Sequence, residues 1–259
     1  DIHGGGMDLK FPHHECEIAQ NVGALGKSPV RYWMHTNMLT VNGEKMSKSK
    51  GNSFLPRELF AGSHPLLAKA YSPMAVRFFM LQSHYSSTLD FSNEALSAAE
   101  KGFKKLSNAL TTVKSLNHPG NGNDDATLAA DLTRMVGECY QTMSDDFNTA
   151  KTLAVLFEMS SRINDFKSGN LKFTAINPAT FDEFKNTYIA MMEAVLGIKD
   201  EESHNQELMD GVIKVLIELR KKARSDKNFA LSDKIRDELK SLGVQLMDGK
   251  DGEMNYTIE

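Results

Sequence analysis

One long stripe of apolar residues constrains the middle of this 259-residue chain more than any other feature. Its members recur at alternating spacings of three and four residues: Leu96, Ala99, Phe103, Leu106, Leu110 and Val113. An α-helix places residues with this spacing on one face, and so long an apolar face must be buried against other elements. The stripe therefore predicts a bundle helix, and we assign residues 66–200 to a helical domain.

Further helices are predicted on both sides of a polar break. After the break at 118–122, a second helix carries Leu128, Leu132, Met135, Val136 and Cys139. A third is predicted from about Thr149, and a fourth from Thr180 with Glu183 completing a capping box. The polar, acidic segment 197–206 predicts a linker. Helices over about 207–224 and 228–241, then two short strands around a turn at Gly249–Gly252, predict a small α+β domain at 201–259.

The first 65 residues follow a different pattern. The opening D-I-H-G-G-G-M-D indicates a strand that ends in a glycine turn, and Pro12 suits the first turn of a helix. The apolar residues Ile18, Ala19, Val22 and Leu25 continue that helix to Gly26. Residues 31–41 predict a second strand, and Asn42-Gly43 a turn. Strand, helix, strand is typical of a parallel α/β sheet.

Composition limits the class of protein. Hydrophobic residues make up 41% and charged residues 25%, which are ordinary globular values. With only two cysteines, Cys16 and Cys139, no disulfide framework is expected, and the cytoplasm is the default compartment. No apolar run or signal peptide predicts a membrane segment. Because the chain opens on Asp1 within a strand-like stretch, we expect it to be cut from a longer protein.

Charge is unevenly distributed, with a local excess of lysine in one loop. Residues 1–90 hold 9 basic and 7 acidic side chains, whereas the whole chain has a net charge of −4. The string K-M-S-K-S-K-G-N at 45–52 combines three lysines with small serines and Gly51. Such a loop could wrap a polyphosphate and stabilise charge that develops on leaving pyrophosphate. The alternative is a solvated basic loop.

A second candidate site lies at the start of the first helix. His13 and Glu17 are four residues apart, so they share one helical face and could supply two ligands to a divalent metal. The alternative is an exposed helix start with capping acids. Cys16 could approach the same face or could be a reduced bystander. The glycines Gly4, Gly5 and Gly6 could let the backbone approach a nucleotide.

These motifs together resemble a known family. K-M-S-K-S is the second signature of the class I aminoacyl-tRNA synthetases, and D-I-H-G-G-G-M-D-L with F-P-H-H-E-C-E-I-A-Q resembles the cysteinyl-tRNA synthetases. Segments 72–96, 145–150 and 223–244 are similar to the domains that follow the catalytic domain in that family. The resemblance implies the end of a Rossmann-like class I catalytic domain (1–65), an antiparallel DALR-like helical bundle (66–200) and a small tRNA-binding domain (201–259).

The resemblance also implies site roles. Lys48 would bind the ATP phosphates and Lys45 would assist, while Gly6 and Asp8 would meet the adenosine. His3 would lie near the substrate, and the alternative is a strand-end histidine whose ring is satisfied by the backbone. His13 and Glu17 would bind Zn²⁺ together with two cysteines nearer the N terminus, which have no counterparts in this sequence. Zinc binds a thiolate far better than a hydroxyl, so such a site would reject serine.

The activity implied is ATP-driven formation of cysteinyl adenylate, with Mg²⁺, followed by transfer to tRNA(Cys). The expected partners are tRNA(Cys), cysteine and ATP, with no membrane, and the expected state is a monomer. The first class I signature, H-x-G-H, is missing from these residues, so we expect the segment alone to be inactive. Two alternatives stay open: a cysteine ligase of thiol-cofactor synthesis, and a non-catalytic tRNA-binding module.

The densest basic cluster of the second half is a further candidate for tRNA contact. It comprises Arg220, Lys221, Lys222, Arg224 and Lys227, with acids interleaved. A phosphate contact there would be salt-sensitive and blind to sequence. The alternative is a solvated helix face.

Overall fold

The computed structural model of the protein describes residues 1–199, 201–248 and 254–258. The chain divides into two compact units, Asp1–Lys199 and Asp200–Glu259. The first unit holds the glycine-rich and lysine-rich motifs and most of the described helices, and the second holds the C-terminal segment. The boundary at 65/66 stays a prediction.

The N-terminal strand, helix and strand are present as predicted. Strand β1 (Ile2–Gly6) pairs in parallel with β2 (Tyr32–Thr36), and helix α1 (Glu15–Leu25) connects them. Pro12 lies before α1, in a π-helical turn at Lys10–His14, rather than in the first turn of the helix. Helix α1 ends before Gly26 as predicted, but none of its residues is buried, and Val22 and Leu25 are exposed.

A second sheet has the order β4-β3-β5. Strand β3 (Leu39–Val41) pairs antiparallel with β4 (Glu44–Lys45) and in parallel with β5 (Leu89–Phe91). The single strand predicted over 31–41 is therefore wrong, because it splits at Asn37. The Asn37 backbone N–H donates to the Tyr85 carbonyl at 3.1 Å and its side-chain amide donates to the Ser86 carbonyl at 3.0 Å, which turns the chain out of the first sheet.

The turn predicted at Asn42-Gly43 is present, and it joins β3 to β4 in an antiparallel hairpin. Asn42 has φ 51° and Gly43 has φ 77°, both in the left-handed region. These are the residue types that adopt this conformation at least cost. The turn places the lysine-rich stretch directly after β4.

The core of the first unit is helical. Short helix α2 (Pro56–Ala61) precedes α3 (Pro73–Leu81), α4 (Asn93–Ser115), α5 (Ala126–Ser144), α6 (Thr149–Ser168) and α7 (Pro178–Ile189), and a π-helical turn at Ala190–Val195 continues α7. All six residues of the predicted stripe on α4 are buried. Helix α4 contacts α3, α6 and α7. The prediction of one long buried helix face is confirmed.

Capping residues set the starts of the later helices. Asn148 caps α6 by accepting the Lys151 N–H, so the predicted start at Thr149 is confirmed. The predicted capping box at Thr180 and Glu183 is wrong. Helix α7 starts at Pro178, and the Asn177 side chain caps it by accepting the Thr180 N–H at 2.9 Å. An asparagine before a first-turn proline is the stronger start signal.

The second unit has its own small core. It contains α8 (Glu201–Ser225), α9 (Phe229–Ser241) and the antiparallel pair β6 (Val244–Asp248) and β7 (Met254–Ile258). Ile213, Ile217, Leu239 and Val244 are buried together. The linker predicted over 197–206 is wrong from residue 201 onward, because α8 already begins at Glu201. The predicted turn at Gly249–Gly252 lies outside the described residues.

The basic cluster around the end of α8 is not uniformly a solvated face. Arg220 is 4% exposed and belongs to the interior of the second unit. The neighbouring Lys221 is instead at the surface, where its Nζ lies 2.9 Å from Glu218 Oε1. A tRNA contact through this cluster stays a prediction, but Arg220 contributes to the fold.

None of the helices built from described residues combines the length and apolar character needed to cross a bilayer.

Two glycines are expected to respond in opposite ways to alanine. A Cβ on Gly122 would clash with the Ile176 carbonyl oxygen and lie 2.6 Å from that of Phe173, two acceptors that His118 Nε2 also binds. Gly122→Ala should lower the free energy of unfolding by about 2 kcal/mol. Gly137, inside α5, would meet nothing within 4 Å, so Gly137→Ala should raise it by about 0.5–1 kcal/mol. Urea denaturation tests both, and equal shifts would contradict the prediction.

Candidate functional site

The side chain of Glu17 contacts two histidines, one on β1 and one in the turn before α1. Glu17 Oε2 lies 3.5 Å from Nε2 of His3, which is on β1. Its other oxygen, Oε1, lies 3.2 Å from Nε2 of His13 in the turn before α1. The predicted pair His13 and Glu17 is thus in contact. His3, predicted separately as a substrate-side residue, belongs to the same group.

A third histidine, His14, forms the buried part of this group. His14 Nδ1 lies 2.9 Å from Nε2 of His35 on β2. Burial, and next the nearby His3, lowers the pKa of His14 against the opposing charge of Glu17. Ligand atoms of His3, His14 and Glu17 all lie within 4.8 Å of one another. We define His3, His13, His14 and Glu17 as the histidine cluster.

Strand register explains why these rings meet. His3 pairs with Trp33 and Gly5 pairs with His35 across β1 and β2. The His3 and Trp33 rings are 4.8 Å apart, and the His14 and Trp33 rings 4.9 Å. A Cβ on Gly5 would lie 2.7 Å from Cε1 of His14, so only glycine leaves room for that ring.

The donor set of the histidine cluster suits a borderline divalent metal. Imidazole nitrogens and carboxylate oxygens are both ligands that Zn²⁺ accepts. Cys16 is exposed and is not among the side chains that the structure brings together within ligand distance in its described part. A tetrahedral site built here would therefore use histidine and carboxylate ligands from this segment and take any thiolate from elsewhere.

The predicted nucleotide-binding residues follow β1 directly. Gly6 ends the strand, and Asp8 lies in the 3₁₀ turn Met7–Leu9. A Cβ on Gly6 would collide with the Asp8 carboxylate. The absence of a side chain at Gly6 therefore lets Asp8 fold back over the strand end. Their role toward adenosine stays a prediction.

The lysine loop, which we define as residues 45–52, is anchored at both ends. Lys45 ends β4, Met46 packs against the main core, and Lys48–Lys50 form a 3₁₀ turn. Lys50 Nζ lies 3.0 Å from Glu44 Oε2. Lys45 and Lys48 have no carboxylate partner within the described residues. No hydrogen bond or ion pair among those residues joins the lysine loop to the histidine cluster.

Three parts of this arrangement could not be identified from spacing. His14, in the turn before α1, meets His35 on β2, and the sequence assigned a role to neither. The available signals were the His13-His14 pair and the position of His35 opposite Gly5. Asn52 was also given no role, although it ends the string K-M-S-K-S-K-G-N. Its contacts are described below.

Comparison with known proteins agrees with these motifs. Residues 1–101 match the model for the tRNA synthetases class I (C) catalytic domain, and residues 138–199 match the DALR domain. The curated cysteine–tRNA ligase of Cytophaga hutchinsonii is 47% identical over 253 residues, covering 97% of this chain and 50% of that protein. The cysteine–tRNA ligase of Porphyromonas gingivalis is 45% identical with the same two coverages.

Among solved structures, the ternary LeuRS-tRNA-LeuAMS complex of Agrobacterium radiobacter K84 matches with a TM-score of 0.48 and 17% identity, over 77% of this chain and 28% of that one. The chain spans about half the length of the curated relatives it matches. Over 97% of its own length, this chain is similar to the cysteine–tRNA ligases, and its matched segments are similar to a class I synthetase catalytic domain and to a DALR domain.

Proposed function

We propose that the complete protein is a cysteine–tRNA ligase, which activates cysteine with ATP and transfers the cysteinyl group to tRNA(Cys). The observation that carries the proposal is the histidine cluster, in which one carboxylate contacts two imidazoles beside a third. A donor set of this kind suits recognition of a thiol-bearing substrate. The lysine loop supplies the cationic group that the first step requires.

In the first step, a carboxylate oxygen of cysteine would attack the α-phosphorus of ATP, and the bond to the bridging oxygen would break. Pyrophosphate would leave with the additional negative charge. Lys48 and Lys45, free of carboxylate partners in the described part of the chain, can stabilise that charge. In the second step, a terminal ribose hydroxyl of the tRNA would attack the carbonyl carbon, and AMP would leave.

We propose that His13 and Glu17 hold a zinc ion, with His3 beside them and the remaining ligands supplied from elsewhere in the protein. When bound, zinc would coordinate the cysteine thiolate and disfavour the serine hydroxyl. Glu17 fixes the orientation of His3 and His13 through its two oxygens. Burial, and next the nearby His3, lowers the pKa of His14, which favours the neutral form of this buried ring.

The remaining parts of the proposal concern nucleotide, state and compartment. Gly6 and Asp8 would contact the adenosine, and ATP would enter as its magnesium complex. The protein would act as a monomer in the cytoplasm, where its two free cysteines stay reduced. The DALR domain and the C-terminal unit would contact the tRNA.

Pyrophosphate exchange tests this function. The complete protein should incorporate labelled pyrophosphate into ATP in the presence of cysteine, and far less with serine. It should then charge tRNA(Cys). Exchange without charging would favour a cysteine ligase with another acceptor, and tRNA binding without exchange would favour a non-catalytic binding module. A protein that shows no exchange, no charging and no tRNA binding would reject all three candidate functions.

A further inference from the structure

One buried side chain, that of Asn52, closes the base of the lysine loop. Asn52 is 8% exposed, although Lys45, Lys48 and Lys50 around it are at the surface. Its Oδ1 accepts the backbone N–H of Ser47 at 2.8 Å. Its Nδ2 donates to the backbone carbonyl of Lys45 at 3.2 Å. Both polar atoms of a single amide are therefore used to hold the two sides of the Lys45–Ser47 corner.

The chain returns to this corner through a tight turn. Gly51 has φ 68°, and its N–H donates to the Lys48 carbonyl at 3.1 Å, which brings Asn52 back under the loop. Met46, the residue after Lys45, packs against the main core. Lys48 is thus carried by a short arch whose two ends are pinned at Ser47 and Asn52.

The ion pair across the loop is a weaker restraint than the Asn52 amide. Lys50 pairs with Glu44 at 3.0 Å, but both side chains are more than half exposed. Exposed pairs of this kind contribute little, because solvent screens the charges and the side chains lose entropy. A buried amide that satisfies two backbone groups leaves both unpaired when it is removed, at a larger cost. The geometry therefore concentrates the restraint on Asn52.

We propose that Asn52 is a positioning residue for Lys48 in the activation step, and this inference rests on the proposed function. A cation stabilises a transition state most when it is already placed where charge will develop. With Asn52 in place, the arch holds the Lys48 backbone before pyrophosphate leaves. Without it, the arch samples other conformations. The loop must then be ordered before each adenylate formation, which raises the activation free energy.

The variant Asn52→Asp, with Asn42→Asp as its control, tests this role. At position 52, aspartate keeps the acceptor for Ser47 but loses the donor and sets a carboxylate oxygen against the Lys45 carbonyl. Asn42 lies in the adjacent β3–β4 turn, and its side chain makes no hydrogen bond within the described residues. Asn42→Asp therefore adds the same charge near the same lysines and leaves the arch intact.

In the complete protein, Asn52→Asp should lower the rate of adenylate formation about tenfold or more, with KM for cysteine changed less than about threefold. Rates are expressed per active site, counted from the burst of adenylate, so unfolded molecules do not contribute. Asn42→Asp should stay within about threefold of wild type. A merely structural role would reduce the number of active sites and leave the rate of each one unchanged, which would overturn the proposal.

A second measurement needs no activity. In the 259-residue chain, Asn52→Asp should make trypsin cleave faster after Lys45, Lys48 and Lys50, and Asn42→Asp should not. Equal cleavage of both variants and wild type would show that Asn52 does not restrain the arch, and would overturn the proposal. If wild-type complete protein shows no exchange with cysteine, the proposed function fails, and the trypsin experiment still decides whether Asn52 pins the loop.

Discussion

Replacing Lys48 by alanine in the complete protein should lower the rate of cysteinyl adenylate formation by about 10² or more, while cysteine affinity changes little. The Lys48 ammonium has no carboxylate partner in the described chain and sits on an arch restrained by Asn52. It is therefore available to a phosphate ligand without first breaking an ion pair. A contact made mainly in the transition state lowers the rate constant and spares ground-state binding.

The neighbouring Lys50 provides a matched control for Lys48. It carries the same charge two residues along the same loop, but it is paired with Glu44. Lys50→Ala should stay within about threefold of wild type. Pyrophosphate exchange and single-turnover kinetics separate the two variants. Equal losses of adenylation rate in both variants would mean that the loop acts only through its total charge. No loss in either variant would mean that the loop is a solvated run of lysines without a role in activation.

The helical part of the fold could be predicted because its signal is local. The apolar stripe of α4 repeats over five intervals, and each member is buried as expected. The strand that failed, 31–41, did so because Asn37 hydrogen bonds to residues almost fifty positions later. The pairing of β3 with β5 likewise joins residues that are far apart in the sequence. Spacing along the chain carries no information about such distant partners.

In the candidate site, too, spacing predicts the contacts between neighbouring residues and misses those between distant ones. His13 and Glu17 are close because one turn separates them, and spacing predicts that. His14 and His35 meet because His14 lies over Gly5, and Gly5 pairs with His35 in the parallel register of β1 and β2. Asn52 and Arg220 are residue types that are usually exposed, but the structure buries both. Burial of a polar group depends on partners supplied by the fold, so sequence alone assigns it poorly.

The second large effect is expected at Glu17. In the complete protein, Glu17→Ala should lower cysteine activation by about 10² and reduce the zinc retained after dialysis. The carboxylate contacts His3 through one oxygen and His13 through the other, so its removal takes away one metal ligand and releases two histidines together. Metal analysis and pyrophosphate exchange measure the two consequences independently.

Glu15 is the control for that experiment, because it lies in the same first turn of α1 and carries the same charge. Glu15 is exposed and makes no ion pair within the described residues, so Glu15→Ala removes the favourable interaction with the helix N-terminus and nothing else of the site. It should retain zinc and near wild-type activation. If Glu17→Ala lost activity but kept its zinc, Glu17 would orient the histidines rather than bind the metal. If Glu15→Ala and Glu17→Ala behaved alike, the acids would act only as helix-start charges, and the histidine cluster would lose its place in the mechanism.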